Sequence, residues 1–311
     1  MISRRHIRVK VMQSVYALTN AHSDNLVKEE KFIRHSIDKM YDLYVLNMQL
    51  LVELQGLAAK LYESSLNKQL KVTQERPNSK FVDNKALNIL VQSSSLASHF
   101  EENDLNLWKE HDEYVRVVYD LMIDSELYAK YMNSGTSSFK EDSKFIADLF
   151  TQIIAPNEKL ADFYEDSFIG WVDDIPFVNT WVLRSLKELK MTNAYILPSL
   201  YKNAEDEDFA VALFRKVVLN QEKYKQEIVE KTPNWEIERI ADLDIIILMM
   251  GISEFLEFPS IPTRVTINEC IELAKDYSTD KSGYFVNGVL DKIQKDFSES
   301  KRLNKIGRGL L

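Results

Sequence analysis

Four basic side chains lie close together at the start of the chain, where the sequence reads SRRHIRVK. Residues 1 to 20 contain Arg4, Arg5, Arg8 and Lys10 and no acidic residue. The same stretch predicts a helix, and cations in its first turns oppose the helix dipole at a cost of roughly 0.3–1 kcal/mol each. Helix stability does not explain them, whereas a docked phosphate backbone would offset the cost. The spacing therefore allows an anion-binding site.

Two other interpretations of this basic stretch stay open. It also fits a solvated basic end, or a targeting presequence, since such segments are rich in arginine and poor in acid. A secretory signal fits less well because the stretch has no uninterrupted apolar centre. Tyr16 follows the arginines at helical spacing, and the pattern allows it to be either a base-stacking platform or a core residue.

The distribution of charge supports a local anion site. The net charge is −9, yet residues 1 to 20 carry +4. Residues 21 to 205 carry 20 basic and 29 acidic side chains, and residues 206 to 311 carry 15 and 19. An acidic protein with one concentrated basic end favours a local anion site over general affinity for nucleic acid.

The sequence lacks the motifs of common enzyme sites. It has no GxGxxG, no P-loop and no GxSxG, and its five histidines have no metal-ligand spacing. Cys270 is the single cysteine, lies on the apolar side of its helix and has no histidine nearby in sequence, which favours packing over nucleophilic chemistry. We expect a cytoplasmic protein that is not an enzyme, with no metal, cofactor or internal disulfide.

Helical periodicity predicts an all-α fold, because strand-like alternation is nearly absent. Residues 3 to 20 form one predicted helix with Ser3 as a candidate N-cap. The segment from about Glu236 to Phe255 is apolar nearly all round and too short to span a bilayer, which predicts a buried central helix. The apolar stripe of the first helix consists of Ile7, Val11, Val15 and Leu18.

Two more helices are predicted after the corner formed by Pro259 and Pro262. Thr263 or Thr266 is expected to cap the first of them. In the second, Gly288 is expected to allow close approach of a neighbouring backbone. The apolar stripe of this last helix consists of Phe285, Val289, Ile293 and Phe297.

Three separated blocks resemble the NusB family of transcription antitermination factors in order and spacing. They are RRHIRVKVMQSVY, then NWEIERI followed by Asp244, Leu248 and Glu254, and finally IPTRVTINECIELAKDYSTDKSGYFVNGVLDKI. The resemblance implies a NusB-like helical bundle with a large helical insertion after the first core helix. Its RNA-binding core would comprise residues 1–20 and 206–298, the insertion residues 21–205, and a basic C-terminal tail residues 299–311. A solvated terminus is the expected state of the tail, with added charge for RNA as the alternative.

The resemblance also implies a function and a set of binding residues. It implies an RNA-binding factor that pairs with the ribosomal small-subunit protein NusE. The pair recognises single-stranded boxA RNA in ribosomal RNA leaders and joins RNA polymerase antitermination complexes, without involving a membrane. Glu254 and Phe285 match positions beside the partner surface. The RNA-binding positions carried over by the resemblance are Arg4, Arg5, His6, Arg8, Gln13, Tyr16, Lys281, Ser282 and Phe285.

Departures from the family pattern concern two of these positions, His6 and Lys281, and the neighbouring Tyr284. His6 stands where arginine is frequent, and a free imidazole with a pKa of about 6.5 is mostly neutral at pH 7. Lys281 stands where an acid is common, and Tyr284 where a basic residue is common. These exchanges predict an altered path for RNA beyond the first helix.

Two rival functions follow from the same sequence. One is a non-catalytic protein-interaction or ribosome-assembly module that uses the acidic insertion as its binding surface. The other is an enzyme, because a NusB-like domain also occurs fused to RNA cytosine methyltransferases. Those enzymes need a cofactor-binding α/β domain and a catalytic cysteine, which this sequence lacks.

Overall fold

A computed structural model describes residues 1–21, 25–69, 78–192, 194–233 and 237–310. These residues form fifteen α-helices and no β-strand, so the all-α fold class is confirmed. Short π or 3-10 turns occur at Phe150–Ile154, Ile169–Trp171, Ile237–Arg239 and Gly307–Leu310. The helices are α1 (Arg4–Ala21), α2 (Leu26–Gln69), α3 (Lys85–Val91), α4 (Ser94–Glu102), α5 (Leu107–Glu110), α6 (Asp112–Ile123), α7 (Glu126–Asn133), α8 (Phe139–Leu149), α9 (Glu158–Ser167), α10 (Ile175–Lys187), α11 (Ala204–Leu219), α12 (Gln221–Lys231), α13 (Asp242–Glu257), α14 (Thr263–Tyr277) and α15 (Ser282–Glu299).

The chain divides into two compact units. One, here called the terminal unit, comprises Met1–Ile37 and Leu200–Leu311, and the other, the acidic unit, comprises Asp38–Ser199. The acidic unit has 16 basic and 25 acidic residues, a net charge of −9, whereas the terminal unit has 23 of each. The predicted boundaries lie at 20/21 and 205/206. The roles assigned to core, insertion and tail stay predictions.

Helix α13 is the centre of the terminal unit. Every residue from Ile246 to Phe255 is buried, and α1, α11, α12, α14 and α15 all contact this helix. The prediction of a buried central helix is therefore confirmed, although α13 begins at Asp242 and its predicted start at Glu236 lies outside the described residues. The predicted stripe of α1, from Ile7 to Leu18, is also buried.

The predicted threonine cap of α14 is wrong. Pro262 occupies the N-cap position with extended backbone, and no side chain caps this helix. Thr266 instead lies inside the first turns, where its hydroxyl donates a hydrogen bond to the Glu254 carboxylate at 2.8 Å. At the start of α1, the hydroxyl of Ser3, the candidate N-cap, lies 2.7 Å from the His6 ring nitrogen Nδ1.

Close helix approach occurs at Gly251, and the prediction for Gly288 is wrong. A Cβ on Gly288 would have open space around it, whereas one on Gly251 would lie 2.8 Å from Leu290 Cδ2 and 3.3 Å from Cys270 Sγ. Cys270 is fully buried, and burial raises the pKa of its thiol. The preference for packing over nucleophilic chemistry at this cysteine is confirmed.

Gly251→Ala is expected to destabilise the protein by about 1–3 kcal/mol, because the new methyl group overpacks the contact with Leu290. Gly288→Ala is the matched control: it adds the same group to an exposed helical position and is expected to stabilise by about 0.5–1 kcal/mol. Urea unfolding of both variants tests this, and equal effects would contradict the assigned packing.

The acidic unit is held together by its own aromatic core. Helix α8 contacts α3, α7 and α10. Tyr131 stacks on Phe145 with ring centroids 4.0 Å apart, and Tyr44 stacks on Trp181 at 4.1 Å. The Tyr44 hydroxyl also lies 2.7 Å from that of Tyr195. The acidic unit thus has a packed aromatic interior of its own.

None of the helices in the described part of the chain combines the length and apolar character needed to cross a bilayer.

Candidate nucleic-acid interface

The three arginines of α1 each meet a carboxylate from a distant part of the chain. Arg4 Nε donates to Asp206 Oδ1 at 2.7 Å, and Arg4 also lies over the Phe209 ring, 5.0 Å from its centroid. Asp206 occupies the first turn of α11, where Asn203 caps its backbone amide. A carboxylate is favoured at that helix N-terminus, so α11 presents Asp206 to Arg4 at little cost.

Arg5 forms a two-pronged ion pair with Glu269 of α14. Its Nε and Nη2 donate to the two carboxylate oxygens, each at 2.9 Å. Burial alone would raise the pKa of Glu269, but the Arg5 hydrogen bonds and the charges of Arg8 and Arg5 hold it below its ordinary value. The Arg5 side chain stays 45% exposed. Arg5 is therefore both oriented and accessible.

Arg8 lies inside the terminal unit. It is 2% exposed and donates from Nε and Nη2 to the Glu254 carboxylate at 2.6 and 2.8 Å. Glu254 is completely buried, and the Thr266 hydroxyl supplies another hydrogen bond to it. The predicted contacts of Arg8 with RNA and of Glu254 with a partner stay untested. The geometry instead pairs these two residues with each other.

His6 adds no positive charge at neutral pH. Burial, and then the nearby Arg5 charge, lower its pKa to about 4. Gln13 is half-buried, and Tyr16 is 42% exposed, so core packing of Tyr16 is wrong. Arg5 and Tyr16 are three helical turns apart on the same side of α1, about 16 Å along its axis.

The turn between α14 and α15 brings only some of the predicted residues to the surface. Lys281 is exposed, but Ser282 is buried and donates to Asp244 Oδ2 at 2.8 Å. Phe285 is half-buried, and its neighbour Tyr284 is 84% exposed. A cleft of about 210 Å³ here is lined by Lys231, Thr232, Pro233, Tyr284, Phe285, Gly288, Val289 and Lys292.

The C-terminal tail is anchored to the terminal unit at a few positions, although most of its described residues are exposed. The prediction of a solvated terminus is wrong at these anchored positions only. Lys305 Nζ donates to the carbonyl oxygens of Glu254 and Phe258 at 2.9 and 3.0 Å. These carbonyls lie at the C-terminal end of α13, where a cation is favoured. The amide of Ile306 donates to the Pro259 carbonyl at 3.1 Å. Sequence reasoning missed Lys305, whose only local signal is a basic charge.

The stability contribution of Lys305 is expected to rise with pH. Burial lowers its pKa to about 8, below the value of about 10.4 for an unfolded lysine. Between these values the unfolded chain binds more protons than the folded one, so the free energy of unfolding increases with pH across that window. Below about pH 8 both states are protonated, and the contribution stays at its lower value. Urea unfolding at several pH values should show that the free energy of unfolding of wild type increases with pH relative to that of Lys305→Met. Lys292→Met, at an exposed position, is the control and should show no such pH dependence. If the stability difference between wild type and Lys305→Met does not change with pH, the assignment is contradicted.

Comparisons with known proteins agree with this fold. A model of the NusB family matches residues 185–295. The chain is 43% identical over 119 residues to the transcription antitermination protein NusB of Salinibacter ruber, an alignment covering 38% of this chain and 74% of that protein. The chain belongs to the NusB family. Helix α1 lies outside the range matched by the family model.

Other NusB proteins match over shorter shares of their length. The transcription antitermination protein NusB of Chloroherpeton thalassium is 35% identical over 129 residues, covering 42% of this chain and 61% of that protein. The NusB protein of Natranaerobius thermophilus is 43% identical over 82 residues, covering 26% and 59%. This chain therefore spans less than two thirds of these two relatives. No solved structure matches the chain.

Proposed function

We propose that the protein is a non-catalytic transcription antitermination factor whose α1 surface binds single-stranded RNA of the boxA type. The observation that carries the proposal is the exposed, fixed guanidinium of Arg5 beside Arg4 on a helix whose stripe is anchored in the NusB-like unit. In the proposed complex the small-subunit protein NusE is the partner, and the pair joins RNA polymerase. The similarity to transcription antitermination proteins supports a role in antitermination.

The geometry supports different roles for the three arginines. Arg5 uses Nε and Nη2 for Glu269, which leaves Nη1 without a partner in the described part of the chain and open to a phosphate oxygen. Arg4 is part-buried against Phe209 and is a secondary phosphate contact. Arg8 is buried with Glu254 and fixes the position of α1. It therefore affects RNA binding indirectly, by positioning Arg4 and Arg5.

The aromatic side chains supply the second element of single-strand recognition. Unpaired bases stack on exposed aromatic rings, while arginines hold the backbone. Tyr16 lies along the same side of α1 as Arg5, and Tyr284 is exposed at the turn before α15. We assign Tyr16 as a base-stacking residue and the turn with Lys281, Tyr284 and Phe285 as a continuation of the RNA or partner surface.

The test is RNA binding as a function of salt, with and without NusE. Binding of boxA RNA by wild type is expected to weaken with salt, and Arg4→Ala with Arg5→Ala should reduce the slope by about 1.4, or roughly 0.7 per phosphate. The control replaces Arg116 and Arg184, two exposed arginines of the acidic unit, by alanine. Equal losses in both double variants, or no binding even with NusE, would overturn the proposal.

One observation favours a second function, that of a protein-interaction or ribosome-assembly module. The acidic unit carries the entire net charge of −9, which disfavours contact with RNA and favours a basic protein partner. Binding of the full chain to ribosomal proteins in a variant lacking Arg4 and Arg5 would support this function independently of RNA.

A further inference from the structure

A cleft of about 420 Å³ opens in the acidic unit between α2, α3, α4 and α5. Its volume lies within the range of roughly 300–1,000 Å³ that is common for ligand pockets. Leu90, Leu96 and Trp108 form a buried apolar wall, while Phe100 and Val91 are more accessible. The Trp108 indole is fixed by donating from Nε1 to the Leu46 carbonyl at 2.9 Å. The cleft thus has a rigid apolar surface.

Carboxylates surround this apolar surface. Glu53, Glu101 and Asp104 line the cleft, and Lys109 is the only cation among its described lining residues. Glu101 and Asp104 are exposed, and neither forms an ion pair within the described ranges. The stretch from 101 to 113 contains six acidic residues and one basic residue. Among the described lining residues, Lys109 is thus one positive charge against three carboxylates.

We propose that this cleft is a docking site for a basic protein segment that inserts a large apolar side chain. The apolar wall would receive that side chain, and lysines or arginines beside it would pair with Glu101 and Asp104. RNA does not fit because its phosphates would be repelled by the rim and by the net charge of −9. A second copy of this chain fits less well, since the arginines of its α1 are already paired with carboxylates.

The backbone at Asp104 allows a conservative test of this charge. Asp104 has φ of 51°, a left-handed conformation that asparagine also tolerates. Its turn is held by the Leu105 amide, which donates to the Phe100 carbonyl at 3.2 Å. The double variant Glu101→Gln and Asp104→Asn therefore removes two charges from the rim with little change in shape.

The experiment measures binding of the full chain to a labelled amphipathic peptide of lysine and leucine. The peptide is expected to bind wild type and to bind the rim variant about tenfold more weakly, which equals about 1.4 kcal/mol. The matched control is Glu165→Gln with Asp166→Asn, which removes two exposed charges from α9 in the same unit. The control is expected to bind the peptide like wild type.

Filling the apolar part of the cleft gives a second, charge-neutral arm. Ala97 is an exposed lining residue, and Ala97→Trp should abolish binding while leaving the circular dichroism spectrum unchanged. Equal weakening in the rim variant and the control would overturn the proposal, as would unaltered binding by Ala97→Trp. Three other results would also overturn the proposal. They are binding of a peptide with glutamate in place of lysine, loss of RNA binding in the same variants, and disruption of a dimer by Ala97→Trp.

Discussion

Glu254→Gln is expected to lower the free energy of unfolding by about 3–5 kcal/mol, the usual cost of removing one partner from a buried ion pair. Glu254 is completely buried, and Arg8, at 2% exposure, has no water to replace the lost carboxylate. The glutamine retains an acceptor for Thr266 and for one guanidinium nitrogen, but the Arg8 charge keeps only its longer contact with Glu269, at 3.8 Å, which Glu269 shares with Arg5. Urea unfolding followed by circular dichroism measures the loss.

A control on the same helix separates burial from charge. Glu257 of α13 pairs with Lys216 at 2.7 Å, and both side chains are partly exposed. Glu257→Gln is therefore expected to cost less than about 1 kcal/mol, the usual worth of a surface pair. If the two substitutions cost the same, the buried pair would not have the role assigned to it.

A double variant tests whether the unpaired charge causes the loss. Arg8→Met in the Glu254→Gln background removes that charge while keeping much of the side-chain volume. Replacement of both partners of a buried pair is often close to neutral, so this variant should recover most of the lost stability. Additive losses would show that Arg8 and Glu254 contribute separately, and would contradict the assignment.

Helical periodicity was sufficient to predict the elements of the terminal unit. The stripe from Ile7 to Leu18 and the all-round apolar run before Phe255 depend on neighbouring positions in the chain, which a sequence displays directly. The same patterns gave the all-α class and the central position of α13. The resemblance in three blocks gave the family, and an identity of 43% to a NusB relative supports it.

The partners of the basic stretch could not be predicted from its own composition. Asp206, Glu254 and Glu269 lie about 200 residues or more from the arginines that they neutralise. A local count of charge therefore suggested a free basic end, whereas the fold pairs Arg4, Arg5 and Arg8. Only tertiary packing distinguishes the accessible Arg5 from the buried Arg8, which occupy neighbouring turns of one helix.

The tail illustrates the same difference between local and distant information. KRLNKIGRGLL has the composition of a solvated terminus, yet Lys305 binds carbonyls at the end of α13. A Cβ on Gly309 would overlap the Pro259 carbonyl oxygen, so only glycine allows this approach. A glycine at a chain end usually indicates flexibility, and nothing local indicated that this one is packed.

Glu269→Gln is expected to strengthen RNA binding about fivefold at low salt, which is about 1 kcal/mol. This prediction depends on the proposed RNA function of α1. Glu269 occupies the Nε and Nη2 edge of the Arg5 guanidinium, which leaves only Nη1 to a phosphate and places a negative charge close to it. Phosphates must therefore bind against a carboxylate, and glutamine removes the repulsion while keeping an oxygen to orient Arg5.

The control for this effect lies one turn along α14. Glu272 is also near Arg5 but pairs with Lys275 at 2.8 Å, so Glu272→Gln makes the same change in net charge without freeing Arg5. It is expected to alter RNA affinity less than twofold, a small effect for an exposed charge at moderate salt. Fluorescence anisotropy with boxA RNA across a salt series compares the two variants directly.

Each outcome assigns Glu269 a definite role. Stronger binding by Glu269→Gln alone means that the carboxylate competes with phosphate for Arg5, and the gain should vanish in an Arg5→Ala background. Equal strengthening by both variants would mean that the overall negative charge of α14 weakens RNA binding, and not the contact between Glu269 and Arg5. Weaker binding by Glu269→Gln would contradict competition, because the ion pair would then be what holds the Arg5 guanidinium in position for RNA.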